Sequence, residues 1–241
     1  MRVFDISFLS PARNLALDEV LLDDVEVGRS AETLRFWESK SRFAVLGVSQ
    51  VLRQQVYESV CREDKVGIFR RASAGGCVLQ GPGVLNYSLV LLHEKHPEVR
   101  TVRGAYCYIF EKIGAALAAR GVIVKHKGIS DLAINGKKVS GNAQKRRRKA
   151  FLHHGTLMYD FDAEILERYL REPSDRPGYR GDRTHKGFVQ NIPLSKHELK
   201  NAVREAFDGD PPMNRISNRL MDATRELETT KYKAQNWIRR R

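Results

Sequence analysis

The sequence predicts an α+β fold in which a mixed β-sheet is flanked by helices. Three observations carry this. Apolar residues recur with period two in some segments and with helical period in others, and the two kinds alternate in no regular βαβ order. Asn135-Gly136, between two strand-like segments, is the dipeptide of a two-residue hairpin turn and calls for antiparallel pairing. Hydrophobic residues make up 41% of the 241, enough for one sizeable core.

The elements follow in chain order. Residues 14–24 set Leu15, Leu17, Val20, Leu21 and Leu22 among acids and read as an amphipathic helix. Residues 33–37 and 42–48 read as strands around a polar turn, and 51–63 as a helix. Strands are expected at 66–71 and 84–92, with a Gly-rich segment between them. Val102, Tyr106, Ile109, Phe110, Ile113 and Leu117 give 101–120 a helical face, and Gly121 is a stop signal. Short strands are expected at 122–125, 131–134 and 138–140, a longer one at 150–161, and a helix at 163–170. Residues 173–187 are polar and rich in Pro, Gly and Arg. They read as a loop, and an unstructured loop of about 15 residues is uncommon and usually functional. Helices are expected again at 195–207 and 214–231. The reading is a catalytic unit over 1–190 and a short C-terminal helical extension of the same domain over 191–241.

Composition bounds the setting. No run of about 18 apolar residues is present, so no transmembrane helix is expected. The N-terminus lacks a basic region followed by an apolar core, so a cytoplasmic protein without a signal peptide is expected. Mean hydropathy is -0.46. Cys61, Cys77 and Cys107 are scattered and odd in number, which suggests neither a disulfide framework nor a zinc site. The net charge of +13 attracts an anionic partner such as nucleotide phosphates, an acidic protein or nucleic acid.

Three segments carry chemistry. Arg70-Arg71-Ala72-Ser73-Ala74-Gly75-Gly76 follows a strand, and small residues there let a ligand approach the backbone beside fixed positive charge. It is neither a Walker loop nor a GxGxxG fingerprint, and an ordinary tight turn is the plain alternative. After the turn at Gln80-Gly81-Pro82-Gly83, a strand sets Asn86 and Ser88 on one face and Leu85 and Tyr87 on the other. In the third segment the Asn135-Gly136 hairpin brings Asp131 near a lysine. Period two separates Lys138, Ser140 and Asn142 from Lys137, Val139 and Gly141. A fixed lysine can neutralise both a carboxylate and an α-phosphate, the electrostatic need of carboxylate adenylation. His153-His154 as a zinc pair is poor, because adjacent strand residues face opposite ways.

The blocks RRASAGGCVLQGPGVLNYS, SDLAINGKKVSGNAQ and FLHHGTLMYDFD resemble the lipoate-protein ligase A branch of the biotin/lipoate protein ligase catalytic-domain superfamily. That branch reads roughly RRxSGGGxVxHxxGxLNYS, NDhxhxGxKhSGxAQ and HHGThL, and order and spacing match over about residues 10–165. NLALDEVLL and the late KYKAQNW are similar to further family segments. The resemblance implies a mixed sheet flanked by helices, with an acyl adenylate in a cleft. It implies that Lys138 is the catalytic contact to carboxyl and phosphate, and that Arg70, Arg71, Ser73, Gly75 and Gly76 form the acyl-binding loop. Asp131 would serve the nucleotide and metal side, and Asn86, Ser140, Gly141, His154, Gly155 and Thr156 would line the pocket. Residues 173–187, with Arg176, Tyr179 and Arg180, either close over the adenylate as a lid or form an exposed connection.

Departures are specific. Ala74 replaces a glycine, Gln80 the usual histidine and Ser130 the usual asparagine, and larger family ligases carry an additional C-terminal domain. Two activities fit the resemblance. A ligase activates lipoate or octanoate with ATP and Mg²⁺ and transfers it to a lysine of a lipoyl acceptor domain, on an E2 subunit or a glycine-cleavage H-like protein. A separate accessory-domain protein is a further candidate partner. A transferase takes octanoyl or lipoyl groups from a carrier protein through a cysteine thioester. Related transferases keep that cysteine shortly before the lysine block, where residues 121–136 have none, and this favours the ligase. Cys77 beside two arginines is the remaining nucleophile candidate. The biotin-ligase loop type is absent. Lys145-Arg146-Arg147-Arg148-Lys149 would suit nucleic acid, but no accompanying motif supports that, and docking of an acidic acceptor is the preferred reading.

Overall fold

The computed structural model describes residues 1–173 and 176–241. Among them ten strands form two sheets: β1 (Arg2–Asp5), β2 (Thr33–Trp37), β3 (Phe43–Leu46), β4 (Gly67–Arg70), β5 (Val78–Gln80), β6 (Val84–Leu92), β7 (Lys125–Lys127), β8 (Asp131–Ile134), β9 (Lys137–Arg146) and β10 (Ala150–Met158). The larger sheet runs β1-β2-β6-β10-β9-β8-β7 and the smaller β4-β3-β5. Both are mixed: β1 lies parallel to β2 and β3 parallel to β4, while the remaining pairs are antiparallel. The expected fold class holds.

The alternation along β6 and β10 sorts the layers. Leu89, Leu91 and Phe151 face α3 (Val102–Ala118) and α6 (Lys196–Ala206) in one core. Val90 and Leu152 face the other way, against α1 (Pro11–Glu26). The small sheet packs on that second face too, with Val84 and Met158 beneath it. The cleft between the sheets and α1 is therefore lined from three sides. Helix α1 begins earlier than its apolar spacing announces, because Ser10 caps it and Pro11 fits its first turn.

Several elements differ from the sequence reading. Residues 51–63 split into a 3₁₀ turn at Leu52–Gln54 and α2 (Glu58–Glu63), since Val56 bridges to Leu170 and the Tyr57 amide bonds to the Tyr169 carbonyl. The strand expected at 122–125 lies at β7, opposite β8. The 3₁₀ turn Ala163–Ile165 and α4 (Leu166–Tyr169) cover 163–170. The loop region 173–187 contains a 3₁₀ turn at Gly178–Arg180 and the start of α5 (His185–Phe188), while Ser174 and Asp175 lie outside the described residues. Strands β1 and β5 are too short for periodicity to announce. Among the described residues no helix is long and apolar enough to cross a membrane.

The C-terminal fifty residues close on the front of the chain. Helix α7 (Asn218–Leu227) packs along α1, a π turn follows at Glu228–Tyr232, and α8 (Gln235–Ile238) lies on β4. The buried Glu228 accepts from Ser10 and Arg13 at the α1 N-terminus. Arg70, fully buried, donates to the carbonyls of Gly47 at 2.8 Å, Gln50 at 2.7 Å and Ile238 at 2.8 Å. The Trp237 indole returns a bond to the Arg70 carbonyl at 2.9 Å. Arg70→Ala leaves these carbonyls unpaired and is expected to cost about 3 kcal/mol. Urea unfolding measures the loss, and Arg70→Lys, which keeps charge but not the planar fork, is expected to fall between.

Candidate functional site

The cleft is lined by Leu15 and Asp18 of α1 and by Trp37 and Val45. Arg71, Gly76, Cys77, Val78 and Gln80 come from the loop after β4 and from β5. Asn86 and Ser88 of β6, then Ser130, Lys138, Gly141, Asn142, Ala143, His154, Gly155 and Thr156, complete it. The three sequence blocks thus meet across one cavity. The expected alternation is observed: Asn86 and Ser88 face the cleft while Leu85 and Tyr87 join the core.

Lys138 reaches the cleft through a bulge. The β8–β9 register shifts between Leu132 and Ala133, so Leu132 opposes Ser140 while Ala133 opposes Lys138, and Val139 is left over. This breaks the simple period of two and sets Lys138 on the side of Gly141. A Cβ at Gly141 would lie 2.8 Å from the Lys138 ammonium, so the glycine leaves the space the side chain occupies. Lys138 Nζ stands 2.7 Å from Asp131 Oδ1, and Asp131 Oδ2 accepts from the Tyr179 hydroxyl at 2.8 Å. Burial, reinforced by Asp131, pushes the Tyr179 phenol up. The Gln190 amide donates to the Lys138 carbonyl at 2.9 Å.

Asp18, which the sequence reading did not select, forms the inner wall. Arg35 Nη1 donates to Asp18 Oδ1 at 2.5 Å and Ser88 Oγ to Oδ2 at 2.8 Å, all fully within the protein. Burial pushes the Asp18 carboxyl up, but Arg35, His154 and Ser88 more than offset it and hold it below the usual carboxylate range. His154 Nε2 lies 2.6 Å from Ser73 Oγ, which also accepts from Arg71 Nε at 3.0 Å. On its other side His154 Nδ1 faces Asp18 Oδ2 at 3.7 Å. Arg71 staples the loop further through the carbonyls of Ala74 and Gly76. Burial lowers its pKa to about 10, which leaves it cationic at neutral pH. Burial pushes the Cys77 thiol up to about 12 despite Arg71 nearby.

Other expected site residues stand elsewhere. Arg70 does not meet the cleft, because its guanidinium is committed to backbone carbonyls on the far side of β4. Ser73 lines a small inner recess behind His154 rather than the main cavity. Gly75 lies outside the lining; its carbonyl crosses so close to Gly47 that a Cβ there would be 2.0 Å away. Ser140 is buried and accepts from Asn142 Nδ2. Arg176, Tyr179 and Arg180 do not line the cleft. The two arginines pair with Glu172, and Arg183 ties the segment to the Gly136 carbonyl, so 176–188 braces the β8–β9 hairpin instead of covering the cavity. Asp131 has both oxygens engaged, and among the described residues no group of three His, Cys, Asp or Glu side chains could hold a metal. The signal for Asp18 lay in Arg35, a charge in the otherwise apolar strand TLRFW that calls for a buried carboxylate.

The model of the lipoyl protein ligase A/B catalytic domain matches residues 10–207. The chain belongs to that family. It is 31% identical to a probable lipoate-protein ligase A of Mycoplasma pneumoniae over 82% of this chain, but spans only 56% of that relative's length. It is 26% identical to the octanoyltransferase LipM of Halalkalibacterium halodurans, over 98% of this chain and 97% of that one. The fold matches the bi-partite lipoate protein ligase described with its E2 lipoyl domain from Thermoplasma acidophilum, with a TM-score of 0.83, 23% identity and coverage of 99% and 96%. The family places the protein among enzymes of lipoyl and octanoyl attachment, with ligases and transferases both represented.

Beneath the cleft His153 is buried against Tyr87, Tyr106 and Phe110, its Nε2 3.2 Å from the Tyr87 hydroxyl. Burial lowers its pKa to about 3, so it is neutral when folded. The unfolded chain binds a proton here below about pH 6.5 while the folded chain does not, so stability falls as pH drops below that value. The expected loss from this group at pH 5 is about 2 kcal/mol. Urea titrations at pH 7 and pH 5 check it, with His153→Gln expected to flatten the difference.

Proposed function

We propose that the protein is a lipoate-protein ligase that activates lipoate, or octanoate, as an acyl adenylate and passes it to a lysine of a lipoyl-type acceptor domain. The observation that carries this over the transferase is the state of the cleft's only cysteine. A thioester forms through a thiolate, and burial, which pushes the Cys77 thiol up to about 12, disfavours that form. Cys61 is buried outside the cleft and Cys107 is exposed on α3. Lys138, by contrast, presents a cation to the cavity, as attack of a carboxylate on an α-phosphate requires.

In this reading the carboxylate and phosphate take Lys138 from Asp131, and Arg71 keeps the loop over the acyl group in shape. The apolar surfaces of Leu15, Trp37, Val45 and Val78 hold the saturated chain and keep water from the anhydride. Magnesium, when carried in by the nucleotide, would supply further neutralisation of the phosphates. Asp131, the carboxylate beside Lys138, would be its one protein oxygen donor, in keeping with a metal that takes one or two protein carboxylates. The solved Thermoplasma ligase is bi-partite, and this chain covers 96% of the chain it matches there, which supports a separate accessory subunit here as well.

The near full-length match to LipM favours octanoyl transfer as the second reading. Incubation with an apo lipoyl domain and either lipoate, ATP and Mg²⁺ or an octanoyl carrier protein separates the two by mass spectrometry. The expected result is ATP-dependent mass addition. Lys138→Ala is expected to cut lipoate-dependent ATP–pyrophosphate exchange at least 100-fold, about 2.7 kcal/mol in barrier, while Cys77→Ser retains it. Carrier-dependent addition without ATP, lost in Cys77→Ser, would overturn the ligase.

A further inference from the structure

The basic run 145–149 is not a uniform docking strip. Arg146 is spent on the Val99 and Arg100 carbonyls and stacks on Phe151, and Arg147 pairs with Asp23. Arg148 and Lys149 sit at the hairpin end remote from the cleft, since the pocket residues of β10 begin at His154. A different surface meets the mouth. Ile129 is 80% exposed in the turn that leads directly into Ser130 of the cleft. Lys127 lies opposite Asp131, which lies opposite Gly141, so its side chain emerges on the cleft-facing side of the sheet, with Lys125 two residues along. Lys145 falls on that same face, two residues beyond Ala143 of the lining. The intervening His126 turns the other way, onto Phe110 at 4.8 Å. Among the described residues none of Lys125, Lys127 and Lys145 has a carboxylate within 4.0 Å, whereas Lys138 inside the cleft is paired with Asp131. An exposed aliphatic residue beside the cleft, following a short edge strand that carries two unpaired lysines, with a third on the same face of β9, has the form of an interaction surface.

We infer that Lys125, Lys127, Ile129 and Lys145 form the docking surface for the acceptor, a domain with an acidic face around its exposed lysine. This rests on the acyl-attachment reading above and adds where the partner sits. The charge complementarity selects the occupant: three unpaired lysines steer and orient an acidic face, and Ile129 supplies the desolvated centre. A partner seated there meets the cavity at Ser130 and can extend its lysine toward Lys138.

Calorimetric titration with an apo lipoyl domain tests it on the whole protein, with Lys125→Glu/Lys127→Glu and Ile129→Asp as variants. Each is expected to weaken binding at least tenfold and, in the charge variant, to flatten the salt dependence. Lipoate binding in the same protein is expected to stay within twofold, which also shows that the variants are folded. If the unaltered protein modifies the domain but the variants keep its affinity and its KM, the surface is wrong and the attachment reading stands. If the unaltered protein neither binds nor modifies the domain with any donor, both fall.

Discussion

The Arg35–Asp18 ion pair, buried at 2.5 Å, is the constraint on which the site depends. An arginine cannot lie in the interior without a counter-charge, and a carboxylate there cannot stay ionised without one. The pair therefore forces α1 against β2. It also leaves the second carboxylate oxygen of Asp18 to Ser88 and His154, on two neighbouring strands. The inner wall of the cleft is in this sense a by-product of satisfying one buried cation. Asn14 adds to the shell, its side-chain and backbone oxygens each accepting from Arg35 at 2.8 Å.

The same economy recurs at the outer edge. Arg70 holds the loop after β3 and the last turn of the chain through carbonyl dipoles alone, without a carboxylate within 4.0 Å among the described residues. Glu19 receives Lys231 at 2.6 Å and Tyr232 at 2.7 Å. The N-terminal NLALDEVLL, the paired arginines and the late KYKAQNW are distant in sequence and form one connected layer in space. Polar groups in that layer are committed to structure, while Lys138, on the cleft side of β9, pairs with Asp131.

Resemblance and spacing located the cleft because its walls come from three contiguous blocks whose residues point by strand alternation. Asn86, Gly141, His154, Gly155 and Thr156 were legible for that reason. The errors have the same root. Arg70 and Arg71 are neighbours on a strand end and face opposite ways, so a motif naming both could not say which one meets the ligand. Ser140 was placed beside Lys138 by a period of two that the bulge at Val139 interrupts. The polar, Arg-rich composition of 173–187 suited a lid, and only the packing of Tyr179 and Arg183 on the β8–β9 hairpin shows a brace.

By itself the sequence determined the fold class, the antiparallel hairpin at Asn135-Gly136, the family and a lysine that lines the cleft. These rest on local periodicity, turn chemistry and contiguous motifs, which a linear chain records directly. Tertiary structure alone decided that Asp18 walls the cleft, that burial raises the Cys77 thiol, and which lysines lack a carboxylate partner. Each of these depends on burial and on charges brought together from distant parts of the chain, and neither quantity has a value until the two sheets and α1 have closed on one another.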